Sequence, residues 1–97
     1  LESNGGQFWV YVLINRKAGK RYTGQTDDLE RRISEHNGDS DNPHRFTRKY
    51  PGKWELIYCR QYQSRSDAMK REKWLKSGIG RAWLDEQFGR ASPPSAD

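Results

Sequence analysis

Cysteine, long apolar runs and acidic side chains are all scarce in this 97-residue chain, and each scarcity excludes something. The single cysteine, Cys59, leaves no internal disulfide and no thiolate metal cluster. That usage fits a reducing, cytoplasmic setting. No stretch approaches the roughly 18 apolar residues of a membrane-spanning helix, and Leu1 to Gln7 is polar and glycine-rich, unlike a signal sequence. A soluble protein without a membrane partner is expected. Leu1 stands where an initiating methionine would be, as expected of a piece of a longer protein. The length itself allows one small domain with a thin core and leaves no room for a second catalytic domain. Acidic residues are outnumbered 13 to 18, for a formal charge of +5 and a pI near 9.6. Such a balance favours polyanionic partners, because lysine and arginine release the counterions condensed on phosphates.

Local patterns then divide the chain into a flexible start over 1–7, a domain over 8–88 and a disordered tail over 89–97. Phe8 to Ile14 is an unbroken apolar and aromatic run, too short for a typical helix, and reads as a central strand buried on both faces. Asn15 to Gly19 has turn composition and Lys20 to Thr23 returns as an antiparallel partner. With a symmetric loop of even length, Leu13 faces Tyr22, and Tyr11 and Tyr22 become diagonal neighbours on one side. Gly24 leaves the strand without a side chain, so that backbone or substrate can approach closely.

Thr26 or Asp27 caps a helix over 27–37, with Glu30 placed for a capping box and Asn37-Gly38 as its stop. With Leu29 at zero, Ile33 falls at about +40°, His36 at about −20° and Arg32 at about −60° around the axis. Arg32 and His36 therefore flank the apolar stripe and can point into a cleft, although a buried structural histidine satisfies the same pattern. From Gly38 to Lys53 the chain is polar and irregular, yet it interleaves His44, Arg45, Arg48 and Lys49 with Phe46 and Tyr50. Such a loop can track a nucleic-acid backbone and stack on bases, or be a solvated loop with a short helical turn. A third strand follows at Trp54 to Tyr62, with Leu56 and Tyr58 on one face and Ile57 and a core Cys59 on the other. In the next helix, over 65–77 with Ser64 and Asp67 as capping signature, the spacing Ala68, Glu72, Leu75 puts a carboxylate inside the core-facing stripe. From pattern alone, an ion pair with Lys76 at i+4 is the simpler reading; a bound divalent metal is the alternative if the group is buried. Gly78 and Gly80 break the chain, and Ile79, Trp83, Leu84 and Phe88 form a last amphipathic helix ending at Gly89.

In order, Tyr11, Tyr22-Thr23-Gly24-Gln25-Thr26, Asp28 to Arg32, His36 and Met69-Lys70-Arg71-Glu72 resemble the GIY-YIG nuclease superfamily, in its short single-domain branch of endonucleases, from Phe8 to about Phe88. The resemblance implies an α+β fold, a three-stranded antiparallel sheet flanked by helices. It implies a metal-dependent endonuclease acting on DNA, in repair or recombination, with one Mg²⁺ or Mn²⁺ and no small-molecule cofactor. Carried over by position, Tyr11 and Tyr22 are the signature tyrosines, Arg32 contacts the scissile phosphate, His36 stands one turn on and Glu72 is the metal ligand. Tyr11 is the first choice for accepting the proton of the attacking water, with Tyr22 and His36 orienting the water or relaying the proton. Because a tyrosine ordinarily ionises near about 10, that role requires a neighbouring cation or metal-bound water. Gly24, Gln25, Arg31, Arg45, Arg48 and Lys49 are the expected nucleic-acid contacts, and a monomer is expected.

Several letters depart from the family pattern. Trp9 and Val10 replace the first two letters of the first signature, Thr23 the isoleucine of the second, and Gln25 stands where the repair branch has lysine. No clear counterpart of the C-terminal asparagine found in some members is present. A non-catalytic DNA- or RNA-binding module on the same fold is the alternative. A third reading, an adaptor binding protein through Trp74 and Trp83, competes with helical spacing that makes both core. The five polar groups together favour the enzyme, since a binding module needs only some of them.

Overall fold

The computed structural model describes residues 7–38 and 43–90. Its elements run β1 (Phe8–Asn15), β2 (Lys20–Thr26), α1 (Leu29–His36), α2 (Arg45–Lys49), β3 (Glu55–Tyr62), α3 (Arg65–Lys76) and α4 (Gly78–Phe88). The sheet has the order β2-β1-β3 and every neighbour is antiparallel. β1 is central because it alone is apolar on both faces: each residue from Val10 to Asn15 is buried. Tyr11 and Leu13 pack with Trp54 and with Leu29 and Ile33 of α1 on one side. Val10 and Val12 pack with Ala68 and Leu75 of α3 and Leu84 of α4 on the other.

The hairpin register is the expected one, with Leu13 opposite Tyr22. Gly19 takes a φ of 67°, and its N–H bonds the Asn15 carbonyl at 2.9 Å, which closes the turn without shifting the parity. β2 runs further than its composition suggests. Gly24 stays in the strand opposite Tyr11, and pairing continues to Thr26. Thr26 is therefore not the cap of α1; Asp28 is, accepting from the Arg31 amide at 3.2 Å, while the Thr26 hydroxyl holds the Asp28 amide at 3.0 Å. The polar segment after α1 contains α2, a single helical turn.

β3 lies at an edge and carries a bulge: Tyr58 faces Val12 and Leu56 faces Leu13, which leaves Ile57 as the extra residue. The bulge turns Ile57 and Tyr58 toward the same core beneath α3 and α4, in place of strict alternation. Cys59 is exposed on this edge strand and is not part of the core. Ser64 caps α3 by accepting from the Asp67 amide at 3.1 Å. Between α3 and α4 only Ser77 intervenes, its hydroxyl donating to the Trp74 carbonyl at 2.6 Å and accepting from the Gly80 amide at 3.2 Å. Gly78 and Gly80 thus start α4 rather than break the chain, and a Cβ at Gly80 would collide with the Trp74 carbonyl. That turn directs Ile79 outward, where it is 72% exposed, so the buried face of α4 is built on Leu84 with Trp83 and Phe88. The expected flexible start and disordered tail lie, but for Gln7, Gly89 and Arg90, outside the described residues. No helix among the described residues is long and apolar enough to cross a membrane.

Candidate active site

Pairing across the hairpin brings the tyrosines to the α1 side. Tyr11 faces Gly24, Leu13 faces Tyr22, and the two phenol rings lie 6.1 Å apart. A Cβ on Gly24 would come within 2.8 Å of the Tyr11 hydroxyl and 2.9 Å of Tyr22 Cε2. Gly24 is buried, so the room left by its missing side chain is taken by the tyrosines rather than by a ligand.

α1 delivers His36, 2% exposed, against that pair, with its Nε2 2.9 Å from the Tyr11 hydroxyl and its Nδ1 2.9 Å from Thr47 Oγ1. The Thr47 hydroxyl donates to the His44 carbonyl at 3.3 Å, so toward His36 it accepts, and Nδ1 is the protonated nitrogen. Nε2 is left as an acceptor, and Tyr11 donates its proton to it. Burial, then the neighbouring His44 and Arg32, pull the His36 pKa down to about 4 against the opposing Glu35. Tyr11 is pushed above the usual tyrosine range, first by burial and then by Tyr22; Glu72 raises it further and Arg32 lowers it. Both charged members of the expected set therefore act on the same hydroxyl.

α2 is the element that completes this corner. Its Thr47 orients His36, and the His44 ring at its N-cap stacks on His36 with centroids 4.0 Å apart. Nε2 of His44 lies 3.1 Å from Glu35 Oε1 and 3.3 Å from Arg32 Nη1. Arg32 is one-third exposed, and its buried Nε has no hydrogen-bond partner, being 3.9 Å from Glu35. The exposed part of this guanidinium, at the rim of the cluster, suits an incoming anion. His44 and Thr47 had no signal in the sequence to place them with His36; folding of the polar loop into a helical turn does so.

Glu72 comes from the opposite side. Gln25 pairs with Val10 and so points toward α3, where its amide donates to Glu72 Oε1 at 2.8 Å. Lys76 donates to Oε2 at 2.6 Å, the ion pair that the helical spacing suggested. Among the described residues no group of three or more His, Cys, Asp or Glu side chains is arranged to hold a metal. A carboxylate only 18% exposed, beside the buried and unpartnered Oε1 of Gln25, nevertheless supplies hard oxygen donors of the kind Mg²⁺ and Mn²⁺ take. The residues fit an ion that draws the rest of its shell from water and phosphate.

Basic residues surround these groups. Lys20, Arg21, Lys76 and Arg81, with Tyr22 and Phe46, line an open groove of about 530 Å³ along β2. Arg21 is tied to Asp85 at 2.9 Å and to the Arg81 carbonyl at 3.4 Å. Arg45, Arg48 and Lys49 are exposed around Phe46 on α2. Arg31 is also exposed, on α1, 3.9 Å from both Asp27 and Glu35. The structure thus brings Tyr11, Tyr22 and His36 into one cluster with Arg32 at its rim, and sets Glu72 on the α3 side with Gln25.

Comparison with known proteins matches residues 7–81 to the family model for the GIY-YIG catalytic domain. A UPF0213 protein of Staphylococcus saprophyticus is 30% identical over 69 residues, covering 71% of this chain and 79% of its own length. A UPF0213 protein of Natronomonas pharaonis is 39% identical over 70 residues, covering 71% of this chain and 76% of its own. No solved structure gives a significant match.

Proposed function

Because the chain belongs to the GIY-YIG catalytic-domain family, a nuclease-type family, we propose that it is a divalent-metal-dependent endonuclease hydrolysing phosphodiester bonds of DNA, with repair or recombination as its setting. The observation that carries the reading is the hydrogen bond at 2.9 Å from Tyr11 to a His36 held in its accepting tautomer and kept neutral by burial. In the free protein the raised Tyr11 pKa makes it a poor base alone. Paired with His36 it becomes a relay once the negative charge of the bound phosphate offsets the burial and the neighbouring cation that keep His36 unprotonated in the free protein. As the attacking water gives its proton to Tyr11 Oη, Tyr11 gives its own to His36 Nε2, which releases it to solvent when the product leaves. The water oxygen bonds phosphorus, the bond to the departing oxygen breaks, and that oxygen takes a proton from solvent.

Arg32, one-third exposed at the rim of the cluster, donates to the phosphoryl oxygens as their charge grows. Tyr22, its ring 4.6 Å from His36, orients the water and shields the relay. Glu72, held by Gln25, is the ligand for one Mg²⁺ or Mn²⁺. When bound, the ion neutralises charge on the phosphate and the leaving oxygen. Arg31 and the α2 cations Arg45, Arg48 and Lys49 are assigned to backbone phosphates flanking the cut.

The test is cleavage of duplex, nicked, flap and branched DNA with Mg²⁺ or Mn²⁺ by wild type and Glu72→Ala. Glu72→Ala should abolish metal-dependent cleavage while keeping the fold and most DNA affinity. Cutting at the wild-type rate by the variant would refute the metal site, and salt-sensitive binding without cleavage by wild type would make the chain a non-catalytic binding module.

A further inference from the structure

We infer that Lys76 is a phosphate-responsive latch on Glu72: in the free protein its ammonium caps the carboxylate, and DNA phosphate draws it away so that a divalent cation can bind. The inference rests on the reading of Glu72 as the metal ligand. Both Glu72 oxygens are already engaged, Oε1 by the Gln25 amide at 2.8 Å and Oε2 by the Lys76 ammonium at 2.6 Å. A cation and the ammonium therefore compete for one oxygen. The two partners differ in freedom. Gln25 is fixed on a strand and its amide is partly buried, whereas the Lys76 side chain is 53% exposed and stands at the C-terminal end of α3.

What Lys76 can swing toward is also visible. It lines the same open groove as Lys20, Arg21 and Arg81, and an exposed ammonium among other cations is repelled by them and attracted by any phosphate that enters. With a single carboxylate at the site, affinity for a divalent ion is weak until phosphate oxygens join the shell. The latch adds to that: without DNA it opposes the ion, and with DNA the same lysine becomes a phosphate contact. Metal and DNA then bind cooperatively, and by linkage each strengthens the other by an equal factor.

The test measures Mn²⁺ binding to the full chain by the loss of the free-ion paramagnetic resonance signal. It compares wild type, Lys76→Met and Lys73→Met, with and without a short phosphorothioate oligonucleotide in single-stranded and duplex form. Without oligonucleotide, Lys76→Met should bind Mn²⁺ about fivefold more tightly than wild type, the factor a unit charge gives at contact distance in a water-like dielectric. Lys73→Met, which removes a neighbouring exposed charge that is not part of the groove, should match wild type. The oligonucleotide should tighten Mn²⁺ binding less in Lys76→Met than in wild type, and the salt slope of DNA binding should fall by about one. Equal Mn²⁺ affinity of Lys76→Met and wild type, or an equal gain in Lys73→Met, would overturn the latch. Mn²⁺ binding retained by Glu72→Gln would overturn the metal-site reading beneath it, so the two failures are distinguishable.

Discussion

Acid should weaken this protein through His36 in a way that a histidine-free site would not. The unfolded chain carries this imidazole with its ordinary pKa of 6.5, whereas the native site holds it at about 4 because burial, His44 and Arg32 all oppose a positive charge there. Between those values the unfolded state binds a proton that the native state refuses, so stability rises with pH across the interval. The contribution is complete above 6.5 and is lost as pH falls through 6.5 toward about 4. At about 1.4 kcal/mol per pH unit, the interval corresponds to about 3 kcal/mol, a large part of the stability of a domain this small. Urea denaturation of wild type and His36→Gln at pH 7 and pH 4 isolates the effect, since the carboxylates common to both proteins cancel in the difference. Wild type should be the more stable at pH 7, and its advantage should shrink by about 3 kcal/mol at pH 4. An advantage that stays constant with pH, or a His36 proton resonance that titrates near its ordinary value, would refute the reasoning.

Two substitutions separate the architecture from the chemistry. Gly24→Ala places a Cβ 2.8 Å from the Tyr11 hydroxyl and 2.9 Å from the Tyr22 ring. It should cost about 1–3 kcal/mol in urea unfolding and slow cleavage roughly a hundredfold by displacing both phenols; unchanged kinetics would mean that their placement does not matter. Arg71 stacks 4.4 Å from the Trp74 ring and 5.4 Å from Trp83, and donates from Nε to the Tyr58 hydroxyl at 3.2 Å. Arg71→Lys should therefore lose about 1–2 kcal/mol of stability, because an ammonium cannot stack as the planar guanidinium does, and should leave cleavage per folded molecule unaltered.

Legibility followed the range of the interactions. The central strand was readable because β1 is apolar on both faces, and the Tyr11 and Tyr22 relationship because a four-residue turn preserves the two-residue period. The pairing of Glu72 with Lys76 was readable because both lie on one helix, one turn apart. The outward turn of Cys59 was not, since it depends on a bulge and on β3 being an edge strand, which are properties of pairing. Nor was the exposure of Ile79, because a helix pattern reveals a face only once the preceding turn has set the helix's rotation, and here Ser77 and Gly80 do so.

By itself the sequence determined the antiparallel α+β layout, through local periodicity, and, through its ordered motifs, the family and the candidate residues Tyr11, Tyr22, Arg32, His36 and Glu72. Tertiary structure decided their electrical state. Burial beneath α2 keeps His36 neutral and Tyr11 protonated, Thr47 selects the accepting nitrogen, and packing of α3 over β2 brings Gln25 to Glu72 across 47 residues. Desolvation and hydrogen-bond direction depend on which distant atoms surround a group, and only the folded chain supplies those atoms.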